Sequence, residues 1–169
     1  MLKLFIIQLI GAIAYGLLCF SYFKKEKKQM LFVQIISYIF FGLHYFLLSG
    51  ITGAICNFIG FLALLVIYLF EKYHLRNKLY VSFLFVFILI IANVMTFQNI
   101  YSIFPLIASV IATLSFLIDD ENIIRKIGAV SAICWLIYAI VYKSYISIIF
   151  EIVTLIDVII ALFKNKKGR

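Results

Sequence analysis

Near the end of the chain, Glu151 and Asp157 stand in the stretch KSYISIIFEIVTLIDVIIALFKNKKGR, among isoleucines, leucines and valines. An ionised carboxylate at the centre of a bilayer helix costs roughly 2.5–3.5 kcal/mol on insertion scales, so such residues face a partner, a water-filled cavity or a substrate. Six positions of α-helix turn the chain through about 240°, so the two acids lie on different faces and need different partners. Glu151 is expected to face an interior cavity and to hold a proton or a cationic group. Asp157, about two turns before the basic tail KNKKGR, is expected to form a cytoplasmic ion pair with that tail or a gate.

Other polar side chains sit at matching depths. His44 and Asn57 flank the SG turn at 49–50, and Tyr138 and Glu151 flank the KS turn at 143–144. At the helical rise each lies about 10 Å from the nearer surface. The expectation is one substrate-binding layer of His44, Asn57, Tyr138 and Glu151, with Phe41 and Trp135 one or two turns away. Each residue also has a plainer reading: a satisfied buried ring for His44, an interhelical contact for Asn57, and packing for Trp135. Gln8, Gln34 and Asn93 are expected as interhelical polar contacts.

Little else here could do chemistry. His44 is the only histidine within an apolar run, and no G-x-S-x-G or H-E-x-x-H spacing occurs, so no catalytic residue and no enzyme activity is expected. Cys19, Cys56 and Cys134 are odd in number and far apart, which argues for small apolar residues rather than a disulfide or metal site. The acids DDE at 119–121 lie beside Arg125 and Lys126 and read as solvated charge; His74 lies in a basic link without a visible partner. No metal and no cofactor is expected.

The elements that must carry these residues are set by composition. Of 169 residues 66% are hydrophobic and 13% charged, and the mean hydropathy of +1.18 is that of an integral membrane protein. A helical crossing needs about 20 apolar residues. Such runs occupy 4–23, 29–48, 51–70, 79–97, 101–118, 126–142 and 145–163, giving an all-α polytopic protein of seven transmembrane helices. These runs leave no room for a soluble or nucleic-acid-binding domain; the lipid bilayer is the expected partner, and the oligomeric state is not specified. The first run continues past AIA at 12–14 to Phe23, so it is expected to be kept as a span rather than cleaved.

The net charge of +8 is sorted by side. Thirteen of the fifteen Lys and Arg residues fall in the links KKEKK (24–28), EKYHLRNK (71–78) and DDENIIRK (119–126) and in the tail; Lys3 and Lys143 fall on the other side. Because Lys and Arg near span ends stay in the cytoplasm, the N-terminus is expected outside and the C-terminus in the cytoplasm.

The spans also pair at an offset of 94 residues. Ser21 corresponds to Ser115, the SG turn to the KS turn, and Asn57 to Glu151. Three spans, one inverting span and three more put both units into the membrane from the same side, as parallel repeats in a 3+1+3 arrangement. The units are 1–71, a linker helix 72–100, and 101–169 with the basic cytoplasmic tail.

Gln8 and Gly11, the lysine link, Gln34, LHYFLLSGITGAICN (43–57) and WLIYAIVYKSYISIIFE (135–151) resemble the YgjV-like family of bacterial inner-membrane proteins, which are similar in turn to the SWEET and PQ-loop transporters. The resemblance implies a SWEET-like fold in the bacterial inner membrane; with the paired polar layer, the expectation is a transporter of a small polar or cationic solute, or a proton, through a cavity between two triple-helix repeats. A non-transporting scaffold or small-ligand receptor on the same fold is the alternative. It implies solute contacts at Phe41 and Asn57 in one half and at Trp135 and Glu151 in the other. Glutamate in place of asparagine at 151 departs from a neutral-sugar site. The Pro-Gln pair of the PQ-loop proteins is absent; Gly11 and its equivalent Pro105 stand as possible hinges, Pro105 equally as a first-turn proline.

Overall fold

The fold is all-helical because the chain offers long apolar runs and hardly any β-alternation, and because a helix satisfies every backbone group within its own segment in a bilayer. The computed structural model describes residues 2–24, 26–73, 78–115, 117 and 121–167. Among these are seven α-helices: α1 (Leu2–Tyr22), α2 (Lys27–Leu47), α3 (Ile51–Lys72), α4 (Lys78–Met95), α5 (Ile103–Ser115), α6 (Glu121–Val141) and α7 (Tyr145–Lys167). A 3-10 turn over Ile100–Ser102 leads into α5, capped by Asn99 through a reciprocal capping box with Ser102. By length and composition, segments of α1, α2 and α3 are long and apolar enough to cross a membrane; Leu79–Met95, Ile100–Ser115 and Lys126–Val141 are shorter apolar helices. His74, Asp119 and Asp120 lie outside the described residues.

The bundle reverses the usual partition of polarity. Phe5, Phe46, Phe87 and Ile140 are more than half exposed, whereas Ser21, Ser37, His44, Thr52, Ser102, Ser144 and Ser147 are fully buried. Lipid is as apolar as leucine, so helices gain little by burying leucine against each other and associate through small residues and hydrogen bonds. α1, α2 and α3 pack in sequence, as do α5, α6 and α7; α4 packs on α3 and α5, and the two groups meet through α1 with α7 and α3 with α5.

Several local contacts recur 94 positions apart. Ser37 Oγ donates to Ala14 O from α2 to α1, and Ser131 Oγ to Ala108 O from α6 to α5. Ser21 Oγ donates to Leu18 O, and Ser115 Oγ to Ala112 O. Helix α2 ends in a Schellman motif, with Gly50 N–H on Tyr45 O and Ser49 N–H on Phe46 O; α6 ends in the same way, with Ser144 N–H on Ala139 O and Lys143 N–H on Ile140 O. Both turns close over a left-handed residue that is not glycine, Ser49 at φ 63° and Lys143 at φ 53°. These two turns, the start of α1 and the α4–α5 link share one end of the bundle, the turn end; the last turns of α1, α3 and α5 and the first turns of α2, α4 and α6 lie at the other.

Pro105 is buried in the first turn of α5, where a missing N–H costs little. Gly11 lies within the continuous helix α1, and a Cβ there would stand 2.6 Å from Ile146 Cγ2 and 2.8 Å from His44 Cε1. Its lack of a side chain lets α1, α2 and α7 meet.

Candidate functional site

Three helical stripes meet between α1, α2 and α7. Ile7, Gly11 and Tyr15 repeat every four residues along α1; Phe41, His44 and Tyr45 share one face of α2; Ser144, Ser147 and Glu151, at spacings of three and four, line one face from the start of α7. Each helix thus brings polar atoms to the same seam.

His44 is fully buried and engaged at both nitrogens, with Nδ1 2.8 Å from Ile7 O and Nε2 2.6 Å from Ser144 Oγ. A carbonyl only accepts, so Nδ1 carries a proton. In a neutral ring Nε2 must then accept the Ser144 hydroxyl proton. Ser147 Oγ lies 2.6 Å from Ser144 Oγ and extends the same hydrogen-bonded chain. Ser147, Ser144, His44 and the Ile7 carbonyl thus form one buried hydrogen-bonded chain across the three helices.

Glu151 begins where that chain ends. Tyr15 OH donates to Glu151 Oε1 at 2.9 Å, joining α1 to α7 across 136 positions of sequence. The Tyr15 ring is fixed from both sides, stacked on Phe150 at 4.4 Å and edge-on to Phe41 at 4.6 Å. Tyr45 lies beside them. Its hydroxyl is buried without a well-formed hydrogen bond, beside the hydroxyls of Ser147 and Ser144 and within the field of Glu151. A buried hydroxyl so placed is a reserve donor: a small shift would let it complete a bond to either serine.

Tyr138 belongs to the neighbouring aromatic cluster. It is fully buried, its OH accepts Gly53 N–H at 2.9 Å, and it sits 5.3 Å from the Tyr45 ring. Trp135 stacks on Tyr45 at 5.4 Å and lies edge-on to Tyr138 at 6.1 Å. Asn57 is buried and its amide donates to Gly53 O within its own helix, at 2.8 Å. The four residues expected to form one layer therefore divide: Glu151 is held by Tyr15, His44 by Ile7 and Ser144, and Tyr138 and Asn57 by Gly53. None of the four hydrogen-bonds another. Phe41 is placed on the Tyr15 side and Trp135 on the Tyr138 side. Asp157 is exposed on α7, on a different face from Glu151; the side chains of the basic tail lie outside the described residues.

Two glutamines clamp the turns above this site. Gln8 donates to Lys143 O at 2.9 Å and accepts Ile146 N–H at 3.1 Å, spanning the α6–α7 turn. Gln98 donates to Ser49 O at 3.3 Å and accepts Ile51 N–H at 3.1 Å, spanning the α2–α3 turn. Tyr15, Tyr45, Ser144, Ser147 and Gln98 were not among the residues expected from sequence. The spacing of Ser144, Ser147 and Glu151 was the available signal, whereas the positions of Tyr15 and Gln98 depend on long-range packing. Among the described residues no three metal-ligating side chains cluster, and the three cysteines are free.

A helical bundle that is apolar outside and hydrogen-bonded inside defines the class: a multi-helix membrane protein. Residues 5–169 match the Imp-YgjV family, described as bacterial inner membrane protein, and the chain belongs to that family. No curated protein and no solved structure matches it.

Proposed function

We propose that the chain is a non-enzymatic transporter of a proton or a small polar or cationic solute, built as two parallel three-helix units joined by α4, with its N-terminus outside and its C-terminus in the cytoplasm. Support for the repeat is the recurrence, at a constant offset of 94, of the serine-to-carbonyl bonds and of both Schellman turns. A shared offset across helix contacts and turn geometry is what duplication of one unit leaves behind.

The observation that carries transport is the Tyr15–Glu151 bond. It links the proposed first unit to the second and is the deepest of the hydrogen bonds that do so; the contacts of Gln8, His44, Thr52 and Tyr138 lie nearer the turn end. Relative motion of the units would have to break it. Binding of a proton or cation by the carboxylate would change its strength, and a ligand shifts a conformational equilibrium only through such differential contacts. Phe41 and Trp135 line the two sides, and Asn57 stands at the position equivalent to Glu151.

The second reading, a scaffold or small-ligand receptor on the same fold, draws support from His44, Tyr138 and Asn57, whose polar atoms are engaged by protein groups. Proteoliposomes loaded with a pH-sensitive dye and challenged with sugars, amino acids and polyamines distinguish the readings. Flux in the wild type that is lost in Glu151→Gln supports transport. Flux no greater than in empty liposomes for the whole panel overturns it.

A further inference from the structure

Lys3 and Lys143 are 140 positions apart, yet both line one cavity of about 410 Å³ at the turn end, between the first turn of α1 and the two Schellman turns. They are the two basic residues of that end; the other thirteen lie in the lysine-rich links and the tail. Among the described residues the acids lie elsewhere: Glu26, Glu71 and Glu121 at the opposite end, and Glu151 and Asp157 within α7. Both lysines are exposed and line the same groove, and among the described residues no carboxylate lies at their end, so an anion there would meet only positive charge.

The walls specify what kind of anion. Leu4, Ile7, Leu47 and Leu48 line the cavity beneath the lysines, and Leu4 and Leu47 are 40% and 36% exposed, so the apolar wall continues onto the lipid-facing flank. The lysines stand at helix ends, the level of lipid headgroups, with Lys3 in the first turn of α1 and Lys143 just after α6. A small hydrated anion would gain nothing from the leucines that line this open groove.

We propose that this cavity is a binding site for an anionic phospholipid, with its headgroup phosphate between Lys3 and Lys143 and its glycerol and upper acyl chain along Leu4 and Leu47. Lysine pairs between transmembrane helices recognise lipid phosphate as point charges, and basic pockets of this kind select anionic headgroups. Ser49 and Lys143, the two left-handed turn residues, both line the site, so its occupant would brace both turns together. The site is separate from Glu151, and its test does not depend on transport.

The test is thermal unfolding of the detergent-solubilised full chain with added phosphatidylglycerol, phosphatidylcholine or inorganic phosphate. Phosphatidylglycerol is expected to raise Tm by several degrees over phosphatidylcholine. The difference should shrink in Lys3→Gln and in Lys143→Asn, a residue that tolerates left-handed φ, and vanish in the double variant. Lys24→Gln and Lys72→Gln, at the opposite end, should retain it. Equal protection by inorganic phosphate would overturn the lipid assignment, and a full phosphatidylglycerol shift in the double variant would overturn the site. Should the double variant fail to fold, native mass spectrometry of Lys3→Gln, an exposed first-turn position, decides: loss of one bound phosphatidylglycerol supports the site, and unchanged stoichiometry removes it.

Discussion

Ser49 and Lys143 adopt the same left-handed conformation 94 residues apart, each closing the turn between two antiparallel helices. A side chain in that region costs about 1–2 kcal/mol, which glycine avoids in the folded state while losing about 0.4–1 kcal/mol through its freer unfolded chain. Ser49→Gly is therefore expected to stabilise the protein by about 0.5–1 kcal/mol and to raise its Tm in detergent. Ser49→Val should lower it, since a β-branched residue tolerates positive φ least. A destabilised glycine variant would show that the Ser49 side chain has a contact that matters more than its backbone.

The glycines divide into two groups by what a methyl would meet. At Gly53 a Cβ would lie 2.4 Å from Tyr138 Cε1, in the contact that also carries the Gly53 N–H to the tyrosine hydroxyl. Gly53→Ala is expected to cost about 1–3 kcal/mol by overpacking. At Gly16 and Gly128 nothing lies within 4 Å, so alanine there should be neutral or stabilising by up to about 1 kcal/mol through helix propensity. Thermal unfolding of the three variants side by side checks the ordering.

His44 and Ser144 test the buried chain. His44→Leu leaves Ser144 and the Ile7 carbonyl without their partner and should cost about 1–3 kcal/mol. Ser144→Ala removes the same contact from the other side. A double-mutant cycle should give a coupling of about 0.5–3 kcal/mol, and additive losses would mean that the two residues act independently.

Much of the fold was legible because length and hydropathy set the helices, and in a bilayer nothing else competes with them. Charged links and minimal turns marked the ends of α1 to α3 and of α5 to α7. The site was only partly legible. Glu151 and His44 stood out as polar residues in apolar runs, but their partners are ordinary ones: a backbone carbonyl, two serines and a tyrosine among eleven. Tyr15 acts on Glu151 because α1 packs on α7, a contact that no local pattern encodes. Likewise the symmetry of His44 and Tyr138 was visible as spacing, whereas its content was not: each reaches the other hairpin, His44 to Ser144 and Tyr138 to Gly53, by different chemistry. Pro105 shows the same limit, since only the start of α5 decides whether it kinks a helix or opens one.

Tyr15→Phe separates the two functional readings most cleanly. The ring keeps its stacking on Phe150 and its edge contact with Phe41, so packing is preserved and only the hydroxyl bonded to Glu151 is removed. A hydrogen bond to a charged group contributes about 1.5–3 kcal/mol. Under the structural reading, Tyr15→Phe and Glu151→Leu both lower Tm, Glu151→Gln is tolerated because the amide oxygen still accepts, and ligand binding or flux in the Gln variant follows the wild-type pH profile. Under the transport reading, Glu151→Gln also folds normally, but an amide cannot take up a proton or neutralise a cation, so pH-dependent or cation-selective flux disappears. Tyr15→Phe should then change the pH dependence of flux, because the hydroxyl that holds the Glu151 carboxylate is lost. An unchanged pH profile in both variants would remove Glu151 from the mechanism and leave the scaffold.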